Sequence, residues 1–145
     1  MSNSALQENK VNSLTVPSGY HRVACYIGSE KIGYLACSWD NFVYIEKDAN
    51  SGKIASCKWC FDNSRRYLEK ATAPFDRFLG TGSNSSAGWG LAGGGYVSEV
   101  VYNEADHTIS LAGTNQKLYA PNGTGSWVYW TNGNDNGTII KCILE

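Results

Sequence analysis

Short stretches of apolar residues at every second position run through this chain, separated by turns rich in glycine, asparagine and aspartate. Val23, Cys25 and Ile27 follow this spacing, as do Phe42 and Tyr44. Because a spacing of two puts side chains on one face of a β-strand, the pattern is typical of half-buried strands. It predicts twelve of them, over residues 22–27, 32–36, 41–46, 53–61, 66–69, 75–80, 87–91, 96–102, 108–112, 117–120, 127–131 and 138–144.

The best helical alternative is the segment 63–73. It is short and runs into Pro74, which ends a helix, so strand and turn are predicted there instead. Residues 1–19 form a polar N-terminal arm with little strand pattern. The remainder, 20–145, is long enough for one domain with its own core.

The predicted strands divide into three sets of four, which begin near Arg22, Arg66 and Thr108, at spacings of 44 and 42 residues. The second strand of each set contains large apolar residues and then a small one, and a turn and a tryptophan follow it. Three such sets resemble the β-trefoil fold, in which first and fourth strands build a short barrel and second and third strands form hairpins that cap it. A propeller also has four strands per repeat, but three blades are too few. The resemblance implies an all-β, β-trefoil-like domain with three pseudo-symmetric repeats of about 42 residues.

Charge and hydropathy exclude several classes of partner. The net charge is −1, so no basic surplus is present to neutralise phosphates, and a nucleic-acid partner is not expected. No stretch reaches the roughly 20 apolar residues of a membrane helix, so no membrane insertion is expected. The first residues lack the pattern of a signal peptide. The expectation is a protein that is cytoplasmic as synthesised, with unconventional release left open.

The cysteines are expected to be thiols in a reducing compartment, mostly buried as small apolar groups. Cys57 and Cys60 form a C-x-x-C pair, a spacing used by redox pairs and by zinc sites. A redox pair normally lies at a helix N-terminus, whereas this pair lies in a predicted strand. There the two side chains point to opposite faces, which opposes a shared metal. No metal site and no cofactor are therefore predicted.

Residues for catalysis are sparse. His21 and His107 are the only histidines, and no third group is placed to orient a cysteine–histidine pair. No spacing selects two carboxylates for glycoside hydrolysis. The sequence therefore predicts no catalytic residues and no enzymatic activity.

Aromatic residues beside asparagine, aspartate and glycine are the strongest functional signal. Sugars have apolar C–H faces that stack on aromatic rings, and their hydroxyl groups bind to short polar side chains. Each tryptophan could equally be a core residue and each asparagine a turn residue. The candidate carbohydrate-binding residues are Trp39, Asp40, Asn41, Asn84, Trp89, Trp127, Tyr129, Asn132, Asn134 and Asp135.

The segment 127–130 allows a sharper prediction. Trp127 and Tyr129 share one face of the strand, and Val128 and Trp130 share the other. Val128 is small and apolar, so its face, with Trp130, is predicted to lie in the core. Trp127 and Tyr129 are then predicted to face a ligand.

These observations favour a non-catalytic lectin whose shallow sites bind mono- or oligosaccharides. An aromatic-rich, trefoil-like chain of this kind resembles defence lectins. The Gln-x-Trp signature of the ricin-type branch is absent from the sequence. Two alternatives stay open at this point: a protease inhibitor of trefoil type, and a module that binds actin or a receptor. A homodimer is compatible with the sequence.

Overall fold

The computed structural model describes residues 19–62, 65–71, 77–82, 86–91, 97–121, 127–131 and 139–145. Residues 1–18 of the predicted arm therefore lie outside the described part of the chain. Within the described part there are twelve strands and no helix, which confirms the all-β prediction. The strands are β1 (His21–Ile27), β2 (Glu30–Cys37), β3 (Val43–Glu46), β4 (Ser56–Asp62), β5 (Arg65–Lys70), β6 (Arg77–Thr81), β7 (Ala87–Leu91), β8 (Val100–Asn103), β9 (Thr108–Leu111), β10 (Leu118–Tyr119), β11 (Tyr129–Trp130) and β12 (Lys141–Leu144).

Within the segment that had a helical alternative, residues 65–70 form the strand β5. β5 pairs with β4 along its whole length, with Leu68 opposite Trp59 and Tyr67 opposite Cys60. Cross-strand contacts of this kind outweigh the helical propensity of a short segment, because propensity is a weak preference that tertiary contacts override. The prediction of a strand here is confirmed.

The sheet is nearly closed and barrel-like. Eight strands form one sheet, in the order β3-β2-β1-β4-β5-β6-β7, and β12 pairs with β1. β1 is the central strand, because it pairs antiparallel with β2 and β12 over residues 23–27 and with β4 at His21 and Arg22. Two further antiparallel ladders join β8 to β9 and β10 to β11.

A glycine allows β2 and β3 to approach closely. Gly33 has a φ of 145°, in a region that favours glycine, and a Cβ at this position would lie 2.5 Å from the backbone oxygen of Glu46. Tyr34 pairs with Glu46 directly beside this contact. The hairpin therefore requires glycine at position 33.

The core contains one leucine from each predicted hairpin. Leu35, Leu79 and Leu118 are fully buried in the same hydrophobic cluster, whereas Tyr119 is only partly buried. The sequence predicted that these leucines point inward, with Leu118 and Tyr119 as alternatives in the third hairpin. Burial of each leucine contributes on the order of 1.5–3 kcal/mol.

Two tryptophans connect neighbouring hairpins. The indole N–H of Trp89 donates to the carbonyl oxygen of Ala36 at 3.2 Å, and that of Trp130 donates to the carbonyl oxygen of Gly80 at 3.1 Å. Both rings are buried, so these bonds satisfy a donor that would otherwise be costly to bury. Ala36 and Gly80 are the small residues that end the second strands of the first two predicted sets.

The ends of three hairpins meet beside β3. The amide of Ala87 donates to the carbonyl of Val128 at 2.9 Å, the amide of Val128 donates to Val43 at 3.0 Å, and the amide of Trp89 donates to Asn41 at 2.8 Å. Val43, Ala87 and Val128 are all fully buried. This junction places the loop between β2 and β3, residues 38–42, next to the segment 127–131, although the two are far apart in sequence.

Candidate functional site

A cleft of about 300 Å³ opens at the junction of the three hairpins. We call it the aromatic cleft, and it is lined by Asp40, Phe42, Val43, Ser86, Ala87, Trp127, Val128 and Tyr129. Three of the predicted carbohydrate-binding residues, Asp40, Trp127 and Tyr129, belong to this lining. They come from the first and the third predicted repeats, so the structure combines them in one site where the sequence placed them in separate ones.

A tight turn builds the wall that carries Asp40. The amide of Ser38 donates to the carbonyl of Phe42 at 2.9 Å, and the amide of Asn41 donates to that of Ser38 at 3.0 Å. The Ser38 hydroxyl accepts from the Phe42 amide at 2.9 Å and donates to a carboxylate oxygen of Asp40. Asn41 adopts a φ of 69°, which asparagine tolerates better than most residues. These bonds fix the turn and leave Trp39 at its tip.

Trp39 is the most exposed large hydrophobic residue described, with 88% of its surface accessible. A tryptophan in this state gains nothing for folding from its large apolar area. Trp39 directly precedes Asp40 in the chain, but it is not itself a lining residue of the aromatic cleft. Large apolar groups exposed beside a cleft are typical of binding sites.

The opposite wall of the aromatic cleft is Trp127. Its ring packs edge-on against Phe42, with centroids 6.0 Å apart, and against Tyr44, with centroids 6.1 Å apart. A backbone bridge between Tyr44 and Trp127 holds it there. Even so, 48% of Trp127 remains accessible. The ring is thus held in place and still open to a ligand.

The prediction for the two faces of the 127–130 segment is confirmed. Val128 and Trp130 are buried, at 0% and 1% exposure, while Trp127 is exposed and Tyr129 is partly buried. Tyr129 also lines the aromatic cleft and packs against Tyr119, with centroids 6.0 Å apart. Alternation along the strand was therefore a reliable guide to which rings lie in the core and which are exposed.

One carboxylate lies in the described lining of the aromatic cleft. Among the lining residues that the structure describes, only Asp40 carries a charge. The nearby Tyr44 donates its hydroxyl to Glu46 at 3.2 Å, and burial together with that carboxylate raises the pKa of Tyr44 to about 12. Tyr44 therefore stays protonated at neutral pH and supplies an uncharged, aromatic support for Trp127.

The structure corrects the prediction for Trp89. Only 2% of this residue is exposed, and its indole nitrogen is already bonded to Ala36. Its ring faces are therefore covered by the core and have no open surface for a sugar. The physical reason is strand alternation: Trp89 lies two positions after the buried Ala87, on the same face of β7.

The other predicted residues divide into two groups. Asn41 does not line the aromatic cleft, and its side-chain oxygen accepts a weak bond from the Cys37 thiol at 3.7 Å. It therefore acts through the turn conformation that it makes possible. The remaining four lie outside the described residues and stay predictions: Asn84, Asn132, Asn134 and Asp135.

Three residues of the site were missed by sequence reasoning. Phe42 and Tyr44 were assigned to a strand but not to a binding site, although their spacing of two already placed them on one face. That shared face now supports Trp127. Ser86 also lines the aromatic cleft, where a backbone bridge joins it to Tyr129. No local sequence pattern indicates that Ser86 belongs to a binding site.

The C-x-x-C pair does not form a nucleophile. Cys57 is fully buried, and Cys60, on the opposite face of β4, donates to Glu69 at 3.4 Å. Burial, together with Glu69, raises the pKa of Cys60 to about 11. Both thiols are therefore held in the protonated form, the less reactive one.

The next groups to consider are His107 and the side chains that could hold a metal ion, over the residues that the structure describes. The hydroxyl of Tyr102, on β8, lies 2.8 Å from Nδ1 of His107, which is in the turn between β8 and β9. Over the residues that the structure describes, no group of three or more histidine, cysteine or acidic side chains is arranged to hold a metal ion.

No protein-family model matches the chain, and no curated protein matches it in sequence. A membrane-crossing helix, one both long and apolar enough, is not found among the described residues. Function is therefore inferred from the geometry of the aromatic cleft itself.

Proposed function

We propose that this chain is a non-catalytic carbohydrate-binding protein that binds a mono- or oligosaccharide in the aromatic cleft. The observation that carries the proposal is a cleft of about 300 Å³ lined by Trp127, 48% exposed, and by the carboxylate of Asp40, with Trp39, 88% exposed, next to Asp40 in the chain. Exposed rings next to a fixed polar group match the two kinds of surface that a sugar presents.

The chemistry of the lining supports a sugar over other small ligands. The C–H face of a pyranose stacks on an indole ring. The ring of Trp127 is already held by its contacts with Phe42 and Tyr44, so its side chain loses little conformational freedom when a sugar binds. One oxygen of Asp40 is engaged by Ser38, which orients the carboxylate to accept from a sugar hydroxyl. A volume of about 300 Å³ is at the small end of ligand pockets, which favours one or two sugar rings.

Hydrolysis of the sugar is not part of the proposal. Glycosidases use two carboxyl groups on either side of the bond that is cleaved, roughly 5–9.5 Å apart. Asp40 is the only carboxylate in the described lining of the aromatic cleft. The described part of the lining thus provides groups for binding, and the proposal is limited to binding.

A β-trefoil-like scaffold with three repeats is proposed for the fold. Three pairings support it, since β2–β3, β6–β7 and β10–β11 are each antiparallel hairpins. Successive sets of four strands are joined through β4–β5 and β8–β9, and β12 pairs back to β1. In such a scaffold the aromatic cleft lies where the capping hairpins meet.

The test is a glycan array followed by calorimetric titration of the best sugar. Trp39→Ala and Trp127→Ala should each weaken binding by roughly 30-fold or more, as expected for a stacking ring at a hot spot. Asp40→Asn keeps the shape of the side chain and should weaken binding by roughly tenfold, because it removes a charged acceptor.

Tyr20→Ala is the matched control. Tyr20 is also an exposed aromatic residue, at 44%, but it contacts Lys58 and Glu69 instead of the aromatic cleft. Its removal should leave sugar binding unchanged. Absence of any bound glycan for the wild-type protein, or equal binding by the wild type and both tryptophan variants, would refute the proposal.

A further inference from the structure

Cys25 and Cys142 lie directly opposite each other on the first and last strands. They are Cα partners in the antiparallel pairing of β1 with β12. The amide of Glu145 donates to the carbonyl of Arg22 at 2.8 Å, which makes that pair a hydrogen-bonded one. Hydrogen-bonded and non-hydrogen-bonded pairs alternate along an antiparallel ladder. Three positions further along, the pair Cys25–Cys142 is therefore non-hydrogen-bonded.

The backbone of Cys142 agrees with this assignment. Its amide donates to the carbonyl of His107 at 2.7 Å, away from β1. In a non-hydrogen-bonded pair the Cα atoms are about 4.5 Å apart and the side chains approach most closely. That separation lies within the range of about 4.4–6.8 Å over which two cysteines can be bridged without backbone movement.

The two side chains also share one environment. Both are fully buried in the hydrophobic core, and each thiol donates to a nearby backbone carbonyl, Cys25 to Val23 at 3.6 Å and Cys142 to Ile140 at 4.0 Å. Cys57, on β4, lies close enough to interact electrostatically with both of them. Burial raises the pKa of Cys25 well above its usual range, with the Cys142 thiol as a further cause. Cys25 is thus held in the protonated form beside Cys142 while β12 stays in place.

We propose that Cys25 and Cys142 form a disulfide site, which covalently joins the first and last strands of the barrel-like sheet when a disulfide oxidant such as oxidised glutathione is present. This bond would close a loop that contains nearly the whole domain. In the reduced protein the same residues pack as small apolar groups, so the fold does not depend on the bond.

The reaction balances as two thiol–disulfide exchanges. The thiolate of one cysteine attacks a sulfur of oxidised glutathione, the glutathione disulfide breaks, and one glutathione leaves as a thiolate that takes up a proton. The thiolate of the second cysteine then attacks the sulfur of the mixed disulfide and releases the second glutathione. The protein loses two hydrogen atoms, that is two protons and two electrons, and the oxidant gains them as two molecules of reduced glutathione.

Separation of β12 from β1 gives the oxidant access. β12 is the last strand of the chain, and its detachment exposes both thiols together. A low concentration of denaturant that favours such opening should therefore accelerate oxidation, whereas a thiol on the surface would react at an unchanged rate.

The experiment incubates the wild-type protein and Cys60→Ser with a mixture of reduced and oxidised glutathione, followed by intact-mass measurement and non-reducing peptide mapping. Cys60→Ser removes the partly exposed thiol and leaves the pair intact, so it should behave like the wild type. The expected product is lighter by two hydrogen atoms and contains a peptide that joins Cys25 to Cys142. The melting temperature should rise by roughly 5–15 °C and return to its original value with dithiothreitol.

Cys57→Ala tests the choice of partner. With the third buried thiol removed, the link between Cys25 and Cys142 should still form. A product in which Cys57 is bonded to either residue in the wild type, or five free thiols after prolonged oxidation in low denaturant, would overturn the proposal. Because the mapping is done on the wild type, the result does not depend on whether a cysteine variant folds.

Discussion

Truncation of either of two tryptophans in the same short segment should have opposite consequences. Trp127 and Trp130 are three residues apart and lie on opposite faces of the segment 127–130. Trp127→Ala therefore removes an indole ring from the surface, and Trp130→Ala removes one from the core. We expect Trp130→Ala to reduce the free energy of unfolding strongly and Trp127→Ala to reduce mainly the affinity for sugar.

The cost of Trp130→Ala follows from its burial. The residue is 1% exposed, and removal of a buried tryptophan costs roughly 3–5 kcal/mol. The change also removes the indole donor from the Gly80 carbonyl, 3.1 Å away, and leaves that oxygen without this partner. For a domain of this size the loss corresponds to a fall in melting temperature of roughly 10–20 °C.

The cost of Trp127→Ala is smaller because 48% of the residue is already in solvent. Only about half of the surface of Trp127 is buried, so its removal should lower the free energy of unfolding by roughly 1–2 kcal/mol. This figure includes the loss of the ring contacts with Phe42 and Tyr44. The affinity for sugar should fall by roughly 2 kcal/mol or more, about 30-fold.

Urea denaturation followed by far-UV circular dichroism measures the first quantity, and calorimetric titration with the best glycan measures the second. The reasoning fails if Trp127→Ala destabilises the protein as much as Trp130→Ala does. It fails equally if Trp130→Ala leaves the denaturation midpoint unchanged, since the core assignment would then be wrong.

Two further predictions concern stability. Gly33→Ala should destabilise the protein by several kcal/mol, because its Cβ would lie 2.5 Å from the backbone oxygen of Glu46. Gly28 has a φ of 62° and nothing within 4 Å of a Cβ, so Gly28→Ala should cost only about 1 kcal/mol for its backbone conformation. Equal urea midpoints for the two variants would contradict this. The hydrogen bond from Lys31, at 2.8 Å, lowers the pKa of Glu145 below its usual 4.5. The ionised form is therefore the one that stabilises the fold, and Glu145→Gln should cost less than about 1 kcal/mol at pH 7, because the pair is exposed to solvent. That difference should disappear as the pH falls below 4.5 and through the lowered pKa of the folded state; a difference that persists at acidic pH would exclude the ion pair as its source.

Strand positions could be read from the sequence because they depend on local pattern. Residues 87–91 were predicted as a strand with the same limits that β7 has. Predicted strand ends elsewhere differ from the observed ones by up to a few residues, as for β8, which begins at Val100 and not at 96. Ends are less certain because backbone pairing with a distant strand decides them, and side-chain alternation does not report on it.

Alternation also determined which side of a strand is buried, once a small apolar residue marked the core face. Val128 fixed the orientation of Trp130 and Trp127 in this way. It was not applied to Trp89, although Ala87 two positions earlier marks the same face, and the assignment of Trp89 to the sugar site was wrong for that reason. A tryptophan beside glycine and asparagine has the same local pattern in a core and in a binding site.

Side-chain period and turn residues over a few positions were enough to predict the all-β class, most of the strand positions and the buried face of the 127–130 segment. They do not indicate that Asp40 and Trp127, about ninety residues apart in the chain, meet in the same cleft. That contact depends on bonds between hairpins, such as the one from the Val128 amide to Val43. Closure of a sheet is a property of the whole chain, and no local period records which strands meet when it closes.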